Sequence, residues 1–231
     1  MQKFLMLISL LFNQNIDPLD AVVQFIMIVL VFAFSLSLRE FARAYSAYKM
    51  GDGTAKAMGR MTINPVKHID PAGFVFFMLL GVGWSKPVPI NPSNFKDYRK
   101  GIRWVSISGI IVNFCFGFIA SLLYLIFNRT IGCPNEFMRY FYLALSTIMQ
   151  INSFLVLFNI FPIYPLAGFD FISSYMNGQN NYIKFNLKYG VKILYGILIF
   201  SVCCNLLFGI DLFAFYLNLL YNYVYLPIAL I

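Results

Sequence analysis

Long apolar runs separated by short charged breaks organise this chain. Between Asp20 and Arg39 lie eighteen residues without a formal charge (AVVQFIMIVLVFAFSLSL), close to the ~20 a helix needs to cross a bilayer. No Pro or Gly follows until Gly51, so one helix is expected from Ala21 to about Met50, running on through LREFARAYSAYKM. Trp104 to Asn128 is an uncharged run of twenty-five and is expected to span. Tyr140 to Phe169 is uncharged for thirty residues but carries Pro162 and Pro165, which should break the helix near Phe161. Ile193–Ile210 and Leu212–Ile231 make one or two final spans. Lys3 followed by FLMLISLLF resembles the charged and apolar regions of a signal peptide. No small-residue cleavage site follows in NQNIDPLD, so a retained, short membrane segment is expected there.

The breaks set the topology. Lys49 to Asp70 holds four Lys/Arg and two Asp, and Lys86 to Arg103 holds five Lys/Arg and one Asp. Between them, Ala72 to Ser85 is an uncharged stretch of only fourteen residues with three glycines, too short to span comfortably. If it dips in and returns, both basic stretches lie on the cytoplasmic face, as the positive-inside rule prefers, so 72–85 is read as re-entrant or hairpin-like, its backbone buried by protein. The flanking pieces GRMTINP and KPVPIN suit short strands punctuated by proline. With Lys3 inside, the basic loops at 49–103 and 170–192 fall in the cytoplasm, and the acidic segment 13–20 and the loop Arg129–Arg139 fall outside. The expected fold is an all-α polytopic membrane protein of about 5–6 transmembrane helices, with a small re-entrant or β-hairpin region after the first long helix. It forms one integral membrane domain over 1–231, with a core at 18–170 and C-terminal helices over 171–231.

Composition agrees with that class. The chain is 60% apolar, 19% aromatic and 11% charged, with a mean hydropathy of +0.74, whereas a soluble domain carries about 25% charge. The net charge of +8 follows from cationic loops beside spans. No RNA-reading aromatic sheet or basic DNA-reading helix is present, so the expected partners are the lipid bilayer and transmembrane helices of other proteins, not nucleic acid. Cys115, Cys133, Cys203 and Cys204 show no C-x-x-C spacing and read as small buried hydrophobes.

Four clusters stand out by order and spacing. REFARAY (Arg39–Tyr45) is followed by GDGTA (Gly51–Ala55) and GRMTINPVKHIDPAG (Gly59–Gly73). Then come GWSKPVPINP (Gly83–Pro92), SGIIVN (Ser108–Asn113) and FNIFPIYPLAG (Phe158–Gly168). In this order they resemble the site-2 protease family, the intramembrane zinc metalloproteases, over about residues 18–170, and they identify a degenerate member. The resemblance implies metal-assisted hydrolysis. Two histidines at i and i+4 and a distant aspartate hold zinc, water takes the fourth position, and the glutamate after the first histidine is the general base. The two histidine positions are Arg39 and Arg43 here, the aspartate position is Ala167, and the base position is Glu40, retained.

A guanidinium is permanently charged and offers no lone pair to a metal, and alanine offers nothing. Without a metal, water keeps a pKa near ~15.7 instead of ~7, and Glu40 has no activated nucleophile to deprotonate. No zinc is therefore expected, although the family uses it. Asp170 lies three residues beyond Ala167, and a backbone shift would be needed to bring it in. Arg39 and Arg43 either snorkel from the cytoplasmic end of a span or face the former site cavity, Arg43 pairing with Glu40 at i+3. Glu40 then serves as a counter-ion rather than a base. Asn113 and Asn159 match family positions where amides hold substrate backbone, and they also suit helix–helix hydrogen bonds. Ile110 stands where the family has proline, which should straighten its helix. His68 and Asp70 are expected to fix their loop. The reading is a pseudoprotease that binds transmembrane segments or partners. Its alternative is an active intramembrane metalloendopeptidase, and a channel or transporter is a distant third.

Overall fold

A computed structural model describes residues 17–80 and 83–208. The segment around Lys3 and the last expected span, Leu212–Ile231, lie outside the described residues. The first long helix, α1, is Pro18–Lys49. Its Asp17 side chain accepts the Leu19 N–H at 3.3 Å, and Pro18 sits at the first position, where its missing N–H costs nothing. The chain continues through α2 (Thr54–Ala57), a 3-10 turn (Pro65–Lys67), α3 (Pro71–Leu80) and a second 3-10 turn (Pro92–Asn94). It then forms α4 (Tyr98–Thr130), α5 (Glu136–Ile160), α6 (Ala167–Ser173) and α7 (Asn181–Phe208). Helix α4 packs along both α1 and α5, α1 also touches α5, and the short α6 rests on α4 and α5.

Among the described residues, α1, α4 and α5 are long and apolar enough to cross a membrane. Helix α5 stops at Ile160, short of Pro162, as the restricted backbone before proline dictates. Helix α4 runs through Ile110 without a break. The expected outer loop over 129–139 shrinks to 131–135, because Asn135 caps α5 by accepting the Met138 N–H at 2.9 Å, so Glu136 and Arg139 are helical. The polar stretch from Asp170 likewise folds into α6 and the start of α7.

The core is a set of small contacts. Phe32 and Leu36 of α1 meet Phe77 of α3 and Leu155 of α5, and the Phe32 and Phe77 rings stack with centroids 3.5 Å apart. Ala120 meets Leu145 and Met149 between α4 and α5. Large apolar side chains such as Leu30, Ile119 and Ile126 point outward, as lipid-facing residues do. The same geometry corrects the reading of the cysteines, which are free: Cys115, Cys133 and Cys203 are exposed and Cys204 is half-buried. Packed membrane helices leave most of their perimeter for lipid, so an apolar setting does not place a small residue in the protein interior.

The strands expected in GRMTINP and KPVPIN do not form; among the described residues there is one isolated antiparallel bridge, Ile69 to Ser85. Pro87, Pro89 and Pro92 carry no N–H and cannot sustain a ladder. The bridge, with the Lys86 N–H donating to the His68 carbonyl at 2.8 Å, brings the two ends of the α3 segment side by side.

Candidate functional site

Glu40 sits near the C-terminal end of α1, 1% exposed, and both of its carboxylate oxygens accept hydrogen bonds. Oε2 accepts the Val88 N–H at 3.0 Å, and Oε1 accepts the Ser85 hydroxyl at 3.1 Å. Arg43 Nη1 lies 3.5 Å and Arg39 Nη2 3.8 Å from Oε1. Helix α1 therefore uses Glu40 to hold the proline-punctuated segment 85–91, whose own donors are sparse. The two arginines flank Glu40 on the inner face: their side chains are only 16% and 15% exposed, and their stems pass over Gly109 of α4. A Cβ at Gly109 would stand 2.9 Å from Arg39 Cγ and 3.3 Å from Arg43 Cγ. Of the two sequence readings, the inward one describes their packing.

Ala167 opens α6 and is buried. Its neighbour Gly168 lets α6 fold back against the end of α5, since a Cβ there would lie 2.1 Å from the Ile160 carbonyl oxygen. Asp170, one turn along α6, lines a cavity that Arg43 also lines. Burial pushes its carboxyl above the usual range, with Arg43 pulling the other way. These residues do not fit a zinc ion. Two guanidiniums and a methyl group stand at the three ligand positions, and the one carboxylate between them is already bonded to Val88, Ser85 and the arginines. Among the described residues, no group of three or more His, Cys, Asp or Glu comes together.

The other singled-out residues divide by role. His68 is 1% exposed, with Nε2 2.8 Å from the Thr62 carbonyl, which makes Nε2 the protonated nitrogen, and Asp70 accepts the Gly73 N–H at 2.8 Å. Both hold loop backbone. Asn113 and Asn159 are each 1% exposed, but they are not joined by a hydrogen bond. Among the described residues neither amide atom of Asn113 has a partner, and Asn159 Oδ1 has none, while Asn159 Nδ2 donates to the Leu155 carbonyl at 2.7 Å. Three contributors escaped the sequence reading. Asp52, fully buried, accepts the Asn91 N–H at 2.8 Å, the Asn94 amide at 2.9 Å and the Thr54 hydroxyl. Burial pushes its carboxyl up, but these donors outweigh it and hold it below the ordinary carboxylate range. Ser85 completes Glu40, and Asn152 donates to Ser35 Oγ at 2.9 Å between α5 and α1. A carboxylate between two glycines, Gly51 and Gly53, was the available signal for Asp52; nothing local marked the other two.

Comparison with known proteins bears on the same stretch. No protein-family model and no solved structure matches the chain. It is 39% identical over 149 residues to YwhC of Bacillus subtilis, covering 63% of this chain and 67% of that protein. It is 25% identical over 171 residues to Rip2 of Mycolicibacterium smegmatis, covering 71% of this chain and 63% of that protein. Rip2 of Mycobacterium tuberculosis is 24% identical over 163 residues, 68% of this chain and 60% of that protein. The chain thus spans roughly two thirds of relatives that are assigned by name as zinc metalloproteases. Three helices long and apolar enough to cross a membrane, the first carrying REFARAY, together with this identity, lead to one conclusion: the chain is an integral membrane protein and belongs to the site-2 protease family.

Proposed function

We propose that this chain is a non-catalytic family member, a pseudoprotease that keeps the intramembrane scaffold and binds transmembrane segments or partner proteins without cutting them. The observation that carries the reading is the lock on Glu40. Both histidine positions present guanidiniums to it, Ser85 and Val88 each donate to one of its oxygens, and the third ligand position is Ala167. A base that accepts three hydrogen bonds and faces a second guanidinium, beside positions that offer a metal no ligand, has no activated water to deprotonate. Asn113 and Asn159 are the proposed contacts to a bound segment. Buried amide atoms without partners are costly in an apolar setting, and an unravelled stretch of backbone offers the matching donors and acceptors.

The topology proposed with this is a multi-pass protein of about 5–6 spans in a bacterial cell membrane, with the basic loops cytoplasmic and 72–85 entering and returning on that side. The alternative is an active zinc endopeptidase, favoured by the metalloprotease names of the relatives.

Zinc per chain in detergent-purified protein, by elemental mass spectrometry, separates the two. The control carries Arg39→His, Arg43→His and Ala167→Asp. The expected result is no zinc in the unaltered chain and about one per chain in the control, with a tagged single-span substrate left intact by the unaltered chain. Stoichiometric zinc in the unaltered chain, or cleavage that a chelator abolishes, would overturn the proposal.

A further inference from the structure

A cavity of about 390 Å³ lies between the 90–98 loop, the first turns of α4, α6 and the start of α7. Its size is that of a small-molecule site, and such sites are apolar with a few convergent polar groups. Phe95, Phe169 and Leu187 supply apolar wall; Arg43, Arg99 and Asp170 supply charge. Two features of these charged groups are unexplained by the fold. Arg43 Nε is buried without a partner among the described residues. The Asp170 carboxyl is half-buried, receives no hydrogen bond there, and has Arg43 as its charged neighbour. The cavity thus holds Arg43, which shares Glu40 with Arg39, Arg99, which donates to the Asn177 amide oxygen at 3.2 Å, and one carboxyl without a protein donor. Arg43 lies six residues before the last residue of α1, about 9 Å along the axis, which sets these groups near the polar end of the span, at headgroup depth.

We propose that this cavity binds an anionic glycerophospholipid whose head carries both a phosphate and a free hydroxyl. The phosphate sits against Arg43 and Arg99, the hydroxyl donates to Asp170, and an acyl chain takes the apolar wall. Charge complementarity selects the occupant: Glu40 offsets only one charge of the Arg39–Arg43 pair, so a phosphate balances what is left beside Arg99, as basic pockets between spans do for anionic heads, and a hydroxyl on the head supplies Asp170 with a donor. This goes beyond the pseudoprotease reading and holds whether or not the chain cleaves anything.

The test is native mass spectrometry of the full chain in non-ionic detergent, titrated in parallel with phosphatidylglycerol, phosphatidic acid, phosphatidylcholine and glycerol 3-phosphate. One phosphatidylglycerol per chain is expected, bound about tenfold more tightly than phosphatidylcholine, with phosphatidic acid intermediate. Arg99→Gln, which leaves the Glu40 ion pairs intact, should remove most of that preference, and Asp170→Leu should erase the difference between phosphatidylglycerol and phosphatidic acid. Equal retention of phosphatidylglycerol and phosphatidylcholine, or a preference untouched by both substitutions, would overturn the site. Phosphatidic acid binding as tightly as phosphatidylglycerol would remove the hydroxyl's role and sink the proposal as stated. Glycerol 3-phosphate binding as tightly as the lipid would make this a soluble-phosphate site instead.

Discussion

Helix α1 carries an ion cluster at each end, and the two are built oppositely. At its start, Asp20 takes both Nη atoms of Arg139, at 2.9 and 2.8 Å, and the Tyr140 hydroxyl. Arg139 also reaches Glu136; these two are 43% and 75% exposed and Asp20 is 17% exposed. Toward its other end, Glu40 is buried, and its arginines stand off at 3.5 and 3.8 Å. By distance alone the outer cluster is the better made. Burial reverses the ranking: exposed pairs are screened and worth little, whereas removing one partner from a buried cluster strands the rest. The outer cluster ties two helix starts together; the inner one holds a loop, two cations and the family's base position in a single unit.

The largest effect should come from breaking the inner cluster on its acidic side. Glu40→Ala leaves two guanidiniums without their carboxylate and the Val88 N–H without its acceptor, and should cost about 3–5 kcal/mol. A thermal-unfolding assay in detergent reads this as a lowered midpoint, and limited proteolysis should open first near Lys86. Replacing Arg39, Glu40 and Arg43 together by leucine should recover most of the loss, because apolar packing replaces a buried charge cluster at little net cost. If Glu40→Ala melted like the unaltered chain, Glu40 would be a solvated leftover and not the strut described above.

What the sequence showed and what it hid divide along the same line. The long helices were legible because eighteen uncharged residues before Arg39 and the prolines after Ile160 are local signals. The arginines' inward packing was not, since it depends on Gly109, some seventy positions away in the chain, offering no side chain. KPVPIN looked like a strand because its composition is β-friendly, but two carboxylates, Glu40 on α1 and Asp52 in the turn after it, take the N–H groups of Val88 and Asn91 in place of a neighbouring strand. The cysteines misled for a related reason: hydropathy reports water avoidance, and lipid satisfies that as well as a protein core does.

An intermediate effect is expected at Asp52, which is buried like Glu40 but holds only neutral donors. Asp52→Ala should cost about 2–3 kcal/mol by leaving the Asn91 N–H and the Asn94 amide without acceptors. Its pH dependence sharpens the comparison. The folded-state pKa of Asp52 is depressed, so its contribution is present above the unfolded value of about 3.9 and is lost as pH falls through the lower folded value. The stability difference between the unaltered chain and Asp52→Asn should therefore be constant near neutrality and shrink on acidification below about pH 4. A difference that grew on acidification would mean that Asp52 is held protonated.

The smallest effect belongs to the outer cluster. Asp20→Asn should shift the melting midpoint least of these substitutions, and the shift should fade as salt is raised, because Arg139 keeps Glu136 as a partner at 2.7 Å and water can solvate what Asp20 gives up. Arg139→Gln should behave alike, since it removes both pairs from an exposed position. The double substitution should cost little more than the larger single one, as expected when two changes remove one shared interaction. A salt-independent loss at Asp20 comparable to that at Glu40 would place the start of α1 out of water's reach. The two ends of the helix would then be held by the same kind of buried charge, and burial would no longer separate them.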